Sequence, residues 1–214
     1  MLFKISMFAV ALAAAVAPVP TATVPALTAF DEAFARVNDY TVTVHAHEIE
    51  GNQTQDRVYD FWFRKPHEAK TLIVAGPGAG SGGVWTGGDT VSGHQGGILS
   101  AVHRNVGLHD RRAITLRGLT IADGLLQNQV SKYKEIKGRL SQRDGPKIDG
   151  QATTLVELRI ADQSGDSGVT RAVIYFSKAT HFPLAQIRWG GDKILSQETW
   201  TDLRTNVGLK DSDF

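Results

Sequence analysis

The stretch "YTVTVHAHEI", residues 40–49, alternates apolar and polar side chains. Tyr40, Val42, Val44 and Ala46 fall on one side, and Thr41, Thr43, His45 and His47 on the other. Successive side chains of a strand point to opposite faces, so a period of two sustained this long reads as a half-buried β-strand. The pattern recurs. "RVYDFWFRK" (57–65) puts Tyr59, Phe61 and Phe63 on one face and ends at Pro66. "EAKTLIVA" (68–75) is a third strand, and "GVWTGGDTV" (83–91) reads as a hairpin. After residue 138, "GRLSQRDGPKIDGQATTLVELRIAD" reads as a hairpin turning around Pro146 and Gly150, and residues 168–209 give three more strands with turns at "KATHFP" and "GGDK". A sheet with one greasy face must cover it, and that requirement constrains the fold more than any local motif.

Three segments carry the helical period instead. Leu27, Phe30, Phe34 and Val37 form one stripe that should end near Asn38-Asp39. Ile98, Leu99, Val102 and Val106 in "GGILSAVHRNVGL" (96–108), and Ile121, Leu125, Leu126 and Val130 in residues 118–138, predict two further short helices. The order is helix, strands, short helices, strands. That is an α+β arrangement with helices on one side of a single antiparallel sheet, not a βαβ succession.

The opening residues resemble a leader. Lys4 precedes an apolar run of twelve residues, Ile5–Val16, followed by "APVPTATVPA". That run is too short for a bilayer, which takes about 20 residues, and the layout is that of a secretory signal peptide over residues 1–26. Cleavage is expected near Ala26, with Ala22 as the weaker site, leaving one domain over 27–214 and a periplasmic location. Without cysteine, lipid anchoring at a processed N-terminus, a disulfide framework and a thiolate metal site are all excluded. Apart from Lys4, acidic and basic residues balance. Nucleic acid binding and a polybasic membrane patch therefore have no electrostatic footprint, and no motif calls for a cofactor.

Three local motifs invite chemistry. Gly78, Gly80 and Gly83 spell G-x-G-x-x-G after the run Thr71–Ala75. A dinucleotide turn needs a helix to open there, and the glycines that follow, each costing a helix about 1 kcal/mol, forbid one. Ser81 in "AGSGG" is a loose nucleophile elbow, which needs the same strand-to-helix turn; with no helix, a serine hydrolase is a long shot and no catalytic residue is assigned. His45 and His47 share a strand face about 7 Å apart but have no third ligand at metal-site spacing, so no metal is assigned.

The order of the motifs resembles the LolA-like periplasmic lipoprotein carriers and the outer-membrane lipoprotein-sorting proteins. "VNDYTVTVHA" is similar to the family's strand after the first helix, "DFWFRKPHE" to its aromatic strand ending in Arg-Pro, and "VWTGGDTV" to its hairpin. "IDGQATTLVELRI", "IYFSKATHFPLAQIRWGGDKI" and "DLRTNVGLKDSDF" are similar to its later strands and C-terminal end. The resemblance implies an incomplete β-barrel, a curved antiparallel sheet whose concave apolar face is covered by helices.

The implied ligand is an acyl chain, a lipid or an acylated lipoprotein, bound without catalysis by a monomer. The alternative is an envelope interaction protein of the same fold that binds a protein regulator or membrane partner. Candidate lining residues are Val42, Val44, Tyr59, Phe61, Phe63, Val74, Trp85, Val156 and Leu158. Phe30, Phe34, Leu125 and Leu126 are candidates for the lid. Lys65 stands where the carriers have the arginine that holds the lid; it lacks that residue's planar fork of donors. Periodicity alone leaves open whether these side chains line a cavity or fill an ordinary core.

Overall fold

The computed structural model describes residues 24–99, 101–160 and 168–214. Residues 1–23, most of the expected leader, lie outside them. Helix α1 spans Pro25–Ala35 and helix α2 Leu126–Glu135. Eleven strands make one sheet: β1 Asp39–Glu50, β2 Gln53–Arg64, β3 Glu68–Ala75, β4 Gly82–Trp85, β5 Thr90–His94, β6 His103–Gly107, β7 Gly138–Ile148, β8 Gln151–Ile160, β9 Arg171–Ser177, β10 Pro183–Gly190 and β11 Lys193–Thr205. The spatial order is β6-β5-β4-β3-β2-β1-β11-β10-β9-β8-β7, antiparallel throughout. This is an open α+β half-barrel. Among the described residues no helix is long and apolar enough to cross a membrane.

The topology explains why helices cover the sheet. Every pair of adjacent strands is consecutive in the chain except at the centre, where β1 meets β11. The two edges are therefore β6 and β7, consecutive in the chain, and residues 108–137 must travel from one edge to the other. They cross the concave face and carry α2 with them. Helix α1 leads straight into the central β1.

The alternating residues of β1 and β2 meet in register: Tyr40 opposite Phe63, Val42 opposite Phe61, Val44 opposite Tyr59. At one end the helices seal this face. Phe30, Tyr40, Phe63, Leu126, Val130 and Val156 are almost wholly buried. Tyr40 and Phe63 lie with ring centroids 5.1 Å apart, and Phe30 packs edge-on to Phe182, geometries that favour the aromatic quadrupole. The Leu126 amide, at the start of α2, donates to the Tyr40 hydroxyl at 3.1 Å. Burial pushes that phenol well above its ordinary range.

Two expectations need correction. The described residues of 96–108 form no α-helix: a 3-10 turn at Gly97–Leu99 is followed by β6, which pairs with β5 from Thr90–Gly107 to His94–His103. Gly96 and Gly97 disfavour a helix, while the edge of β5 offers a ladder of backbone partners. Ile98, expected on an apolar helix stripe, is 99% exposed on this hairpin. In 118–138 the helix begins only at Leu126. Helix α1 begins at Pro25, inside the stretch that the sequence assigns to the leader. Val24 and Ala26 are buried, and the Ala26 amide donates to Gln142 Oε1 at 2.9 Å. A cut after Ala26 would fall inside α1, whereas one at Ala22 leaves it whole.

Candidate ligand-binding cavity

The helices do not reach the whole concave face. Beyond Val42 a cavity of about 520 Å³ lies between strands β1–β6, β11, the crossing segment 111–124 and Gln129 of α2. From the expected set it is lined by Val44, Tyr59 and Phe61; Ile73, Ile121 and Trp200 join them. The volume falls within the usual range of small-molecule sites, roughly 300–1,000 Å³.

The other expected lining residues lie elsewhere. Val42, Phe63, Val156 and Leu158 face the same side but are packed into the sealed core. Trp85 is half-buried at the edge of that core, and its indole N–H donates to the Gly88 carbonyl at 2.6 Å. Val74 is misplaced in the sequence reading: it is 44% exposed, and the cavity residues of β3 are Thr71 and Ile73. "TLIVA" is apolar without alternation, so its parity is not readable, and an error of one residue exchanges the faces.

Of the lid candidates, Phe30, Leu125 and Leu126 are buried in the core and Phe34 is partly buried against it. Lys65 reaches helix α1. Its ammonium donates to the Phe34 and Ala35 carbonyls, at 3.0 and 3.3 Å, and sits 4.9 Å from the centre of the Phe34 ring. These are last-turn carbonyls of α1, where a cation is favoured. Arg64, on the opposite face, pairs with Glu68 and Asp211 of the C-terminal segment.

The glycine run proves to be cavity wall. Ser81 is followed by strand β4, not a helix, and its hydroxyl accepts from the Gly96 amide at 3.0 Å. The strand–helix context of both a phosphate turn and a nucleophile elbow is thus missing. Gly83 lies in register between Thr71 and Gly93, all three lining the cavity. A Cβ on Gly83 would come within 2.8 Å of Val91 Cγ1, so bareness here makes room. His47 is bonded through Nδ1 to Asp56, at 2.7 Å. Among the described residues no three His, Cys, Asp or Glu side chains are grouped to hold a metal ion.

Sequence reasoning missed the polar part of the site. Along β1 the inward residues continue from Val44 to Ala46 and Glu48, and along β2 from Tyr59 to Arg57. Glu48, 3% exposed, accepts from the Thr115 hydroxyl at 2.7 Å and the Arg117 amide at 3.4 Å. Glu198 accepts from Gln129 Nε2 at 3.3 Å, and Gln129 Oε1 accepts from Arg188. Desolvation raises the carboxyl pKa of Glu198 above its ordinary value, against the pull of Arg188. The alternation at Glu48 was visible in sequence, but a glutamate on the apolar phase reads as a strand end until its partners are known. The cavity is therefore amphipathic, with Glu48, Glu198 and Gln129 of α2 set among its apolar lining.

No family model matches the chain, and no curated protein matches it by sequence. Solved structures do match in shape. MucB aligns with a TM-score of 0.54 at 14% identity, over 88% of this chain and 60% of its own. A DUF1329 family protein from Desulfovibrio piger gives 0.50 at 14%, over 89% and 94%. The Mycobacterium tuberculosis lipoprotein LppX gives 0.50 at 15%, over 87% and 97%. Identities this low speak to fold alone. The chain has a LolA-like fold.

Proposed function

We propose that this chain is a non-enzymatic binding protein of the bacterial envelope, working in the periplasm, which holds an acyl chain of a lipid or lipoprotein in the half-barrel cavity. The observation that carries the reading is the uncovered part of the concave face. Val44, Phe61, Ile73, Ile121 and Trp200 line a space of about 520 Å³ left at the margin of the core. Each methylene moved there from water gains about 0.8 kcal/mol. No covalent chemistry is needed, and the ligand leaves when the cover over the sheet shifts.

The test is native mass spectrometry on protein purified from a bacterial periplasm. Adducts with the masses of acyl lipids are expected, and they should be removed by organic extraction and restored by adding acyl probes. A bare protein that takes up no acyl probe would sink the carrier reading.

A second reading, an envelope interaction protein, is favoured by a depression of about 480 Å³ where β1, β2, β10 and β11 meet, whose lining includes His45, Val58, Ala185 and Ile187. MucB, of the same fold, has been solved in complex with MucA, and that structure aligns here with a TM-score of 0.52 at 15% identity, over 57% of its chain. Co-purification of an envelope protein, lost on substitution of Ile187 and not on substitution of Phe61, would favour this alternative.

A further inference from the structure

Four arginines line the cavity besides its apolar wall: Arg57, Arg104, Arg111 and Arg112. Only Arg112 is neutralised, gripping Asp110 through two N–H groups at 2.8 Å each. Among the described residues Arg57, Arg104 and Arg111 make no ion pair. Arg57 donates to the Pro77 carbonyl at 2.8 Å and lies 3.4 Å from the Tyr59 hydroxyl; Arg104 and Arg111 are exposed. These three stand on separate elements, namely β2, β6 and the crossing segment after β6. Because exposed lining residues mark where a cavity meets solvent, the opening is edged by uncompensated positive charge.

Two carboxylates also face the cavity, and they are engaged. Glu48 is buried and bonded to Thr115 and the Arg117 amide. Glu198 is bonded to Gln129 and lies beside the buried Arg188. Neither makes an ion pair with Arg57, Arg104 or Arg111 among the described residues. The cavity volume sets the tail. A methylene occupies about the room of one liquid water, about 30 Å³. The 520 Å³ present then holds on the order of 17 such groups, one long acyl chain and not two.

Resting on the acyl-binding reading above, we infer that the ligand is a single-chain amphiphile with an anionic head, carboxylate or phosphate. Its tail lies against Phe61, Ile73 and Trp200, and its head lies at the opening among Arg57, Arg104 and Arg111. Arginine suits this role: it stays charged, and its planar fork matches both oxyanions. Arg104 and Arg111 stand at the opening and the half-buried Arg57 lines the wall; they act on the head through their summed field, so raised salt weakens the preference without abolishing tail burial.

The experiment is calorimetric titration of the extracted protein with four amphiphiles of equal tail length, each below its micelle concentration: hexadecanoate, hexadecyl phosphate, hexadecylamine and the neutral monohexadecanoylglycerol. Both anions should bind about tenfold or more tightly than the neutral and cationic probes. The double variant Arg104→Gln/Arg111→Gln, exposed positions with no internal partner, should lose most of that preference and keep its affinity for the neutral probe. Arg57→Gln should act in the same direction. If neutral and anionic probes bind alike, or the amine binds best through Glu48 and Glu198, the cavity holds acyl chains but the anionic inference is wrong. If no probe binds, the acyl-binding reading falls, and this inference with it.

Discussion

Thr71 offers the most informative perturbation of the cavity. It lies in register between Phe61 and Gly83, its side chain lines the empty space, and Gly83 and Gly93 leave the wall beside it bare. Thr71→Phe adds about four heavy-atom groups, roughly 120 Å³ at the volume of a liquid water each, against 520 Å³ available. An aromatic residue suits a half-buried strand, so the sheet should tolerate the change. Four displaced methylenes at about 0.8 kcal/mol each amount to about 3 kcal/mol, a loss of roughly a hundredfold in affinity for a chain that fills the cavity. A shorter chain gives up less, so the slope of affinity against chain length should flatten in the variant. The assay is titration with dodecanoate and hexadecanoate, alongside thermal unfolding. A variant that unfolds at the wild-type temperature and binds both chains with wild-type affinity would refute the placement of the tail.

Other substitutions test the frame around the site. Tyr40→Phe leaves the buried Leu126 amide without its acceptor, costing about 1–3 kcal/mol. For a chain of this length that is a drop of about 2–10 °C in unfolding temperature. Lys65→Met removes two bonds to the last-turn carbonyls of α1; hydrogen exchange should rise in α1 while the central strands stay protected. Val74→Ser, on the outer face, should shift stability by less than about 0.5 kcal/mol and leave acyl uptake unchanged. Glu198 has its folded-state pKa raised by burial above the ordinary 4.5. The folded state thus holds a proton that the unfolded state releases, so this group's contribution to stability falls as pH rises from 4.5 to the folded-state pKa and is level outside that window. The difference in unfolding temperature between wild type and Glu198→Gln should shrink or reverse as pH rises through that window; a constant difference would mean Glu198 ionises normally.

The strands were legible because β1 and β2 alternate cleanly, with Tyr40, Val42 and Val44 facing Phe63, Phe61 and Tyr59. Burial on one face imposes that pattern, and the order of the elements carried the fold. Parity failed where alternation was missing, in "TLIVA", and Val74 fell on the wrong face. The spacing of Ile98, Leu99, Val102 and Val106 mimicked a helix, yet pairing with β5 decided in favour of a strand, as tertiary context overrides local propensity.

The division between cavity and sealed core was not legible. Val42 and Val44 are neighbours of identical type on one face and both are buried in the core, yet only the second also lines the cavity. The charged opening was invisible for a related reason. Arg57 is far in sequence from Arg104 and Arg111, and only the fold brings all three to the lining of one cavity.

The central claim is that an acyl tail lies inside the half-barrel. Photo-crosslinking with a hexadecanoate bearing a terminal diazirine, followed by peptide mapping, reads it directly. Labelling is expected at Phe61, Ile73, Ile121 and Trp200, and it should be lost in Thr71→Phe. Labels concentrated at Val58 and Ile187, or spread over the surface and insensitive to Thr71→Phe, would contradict it.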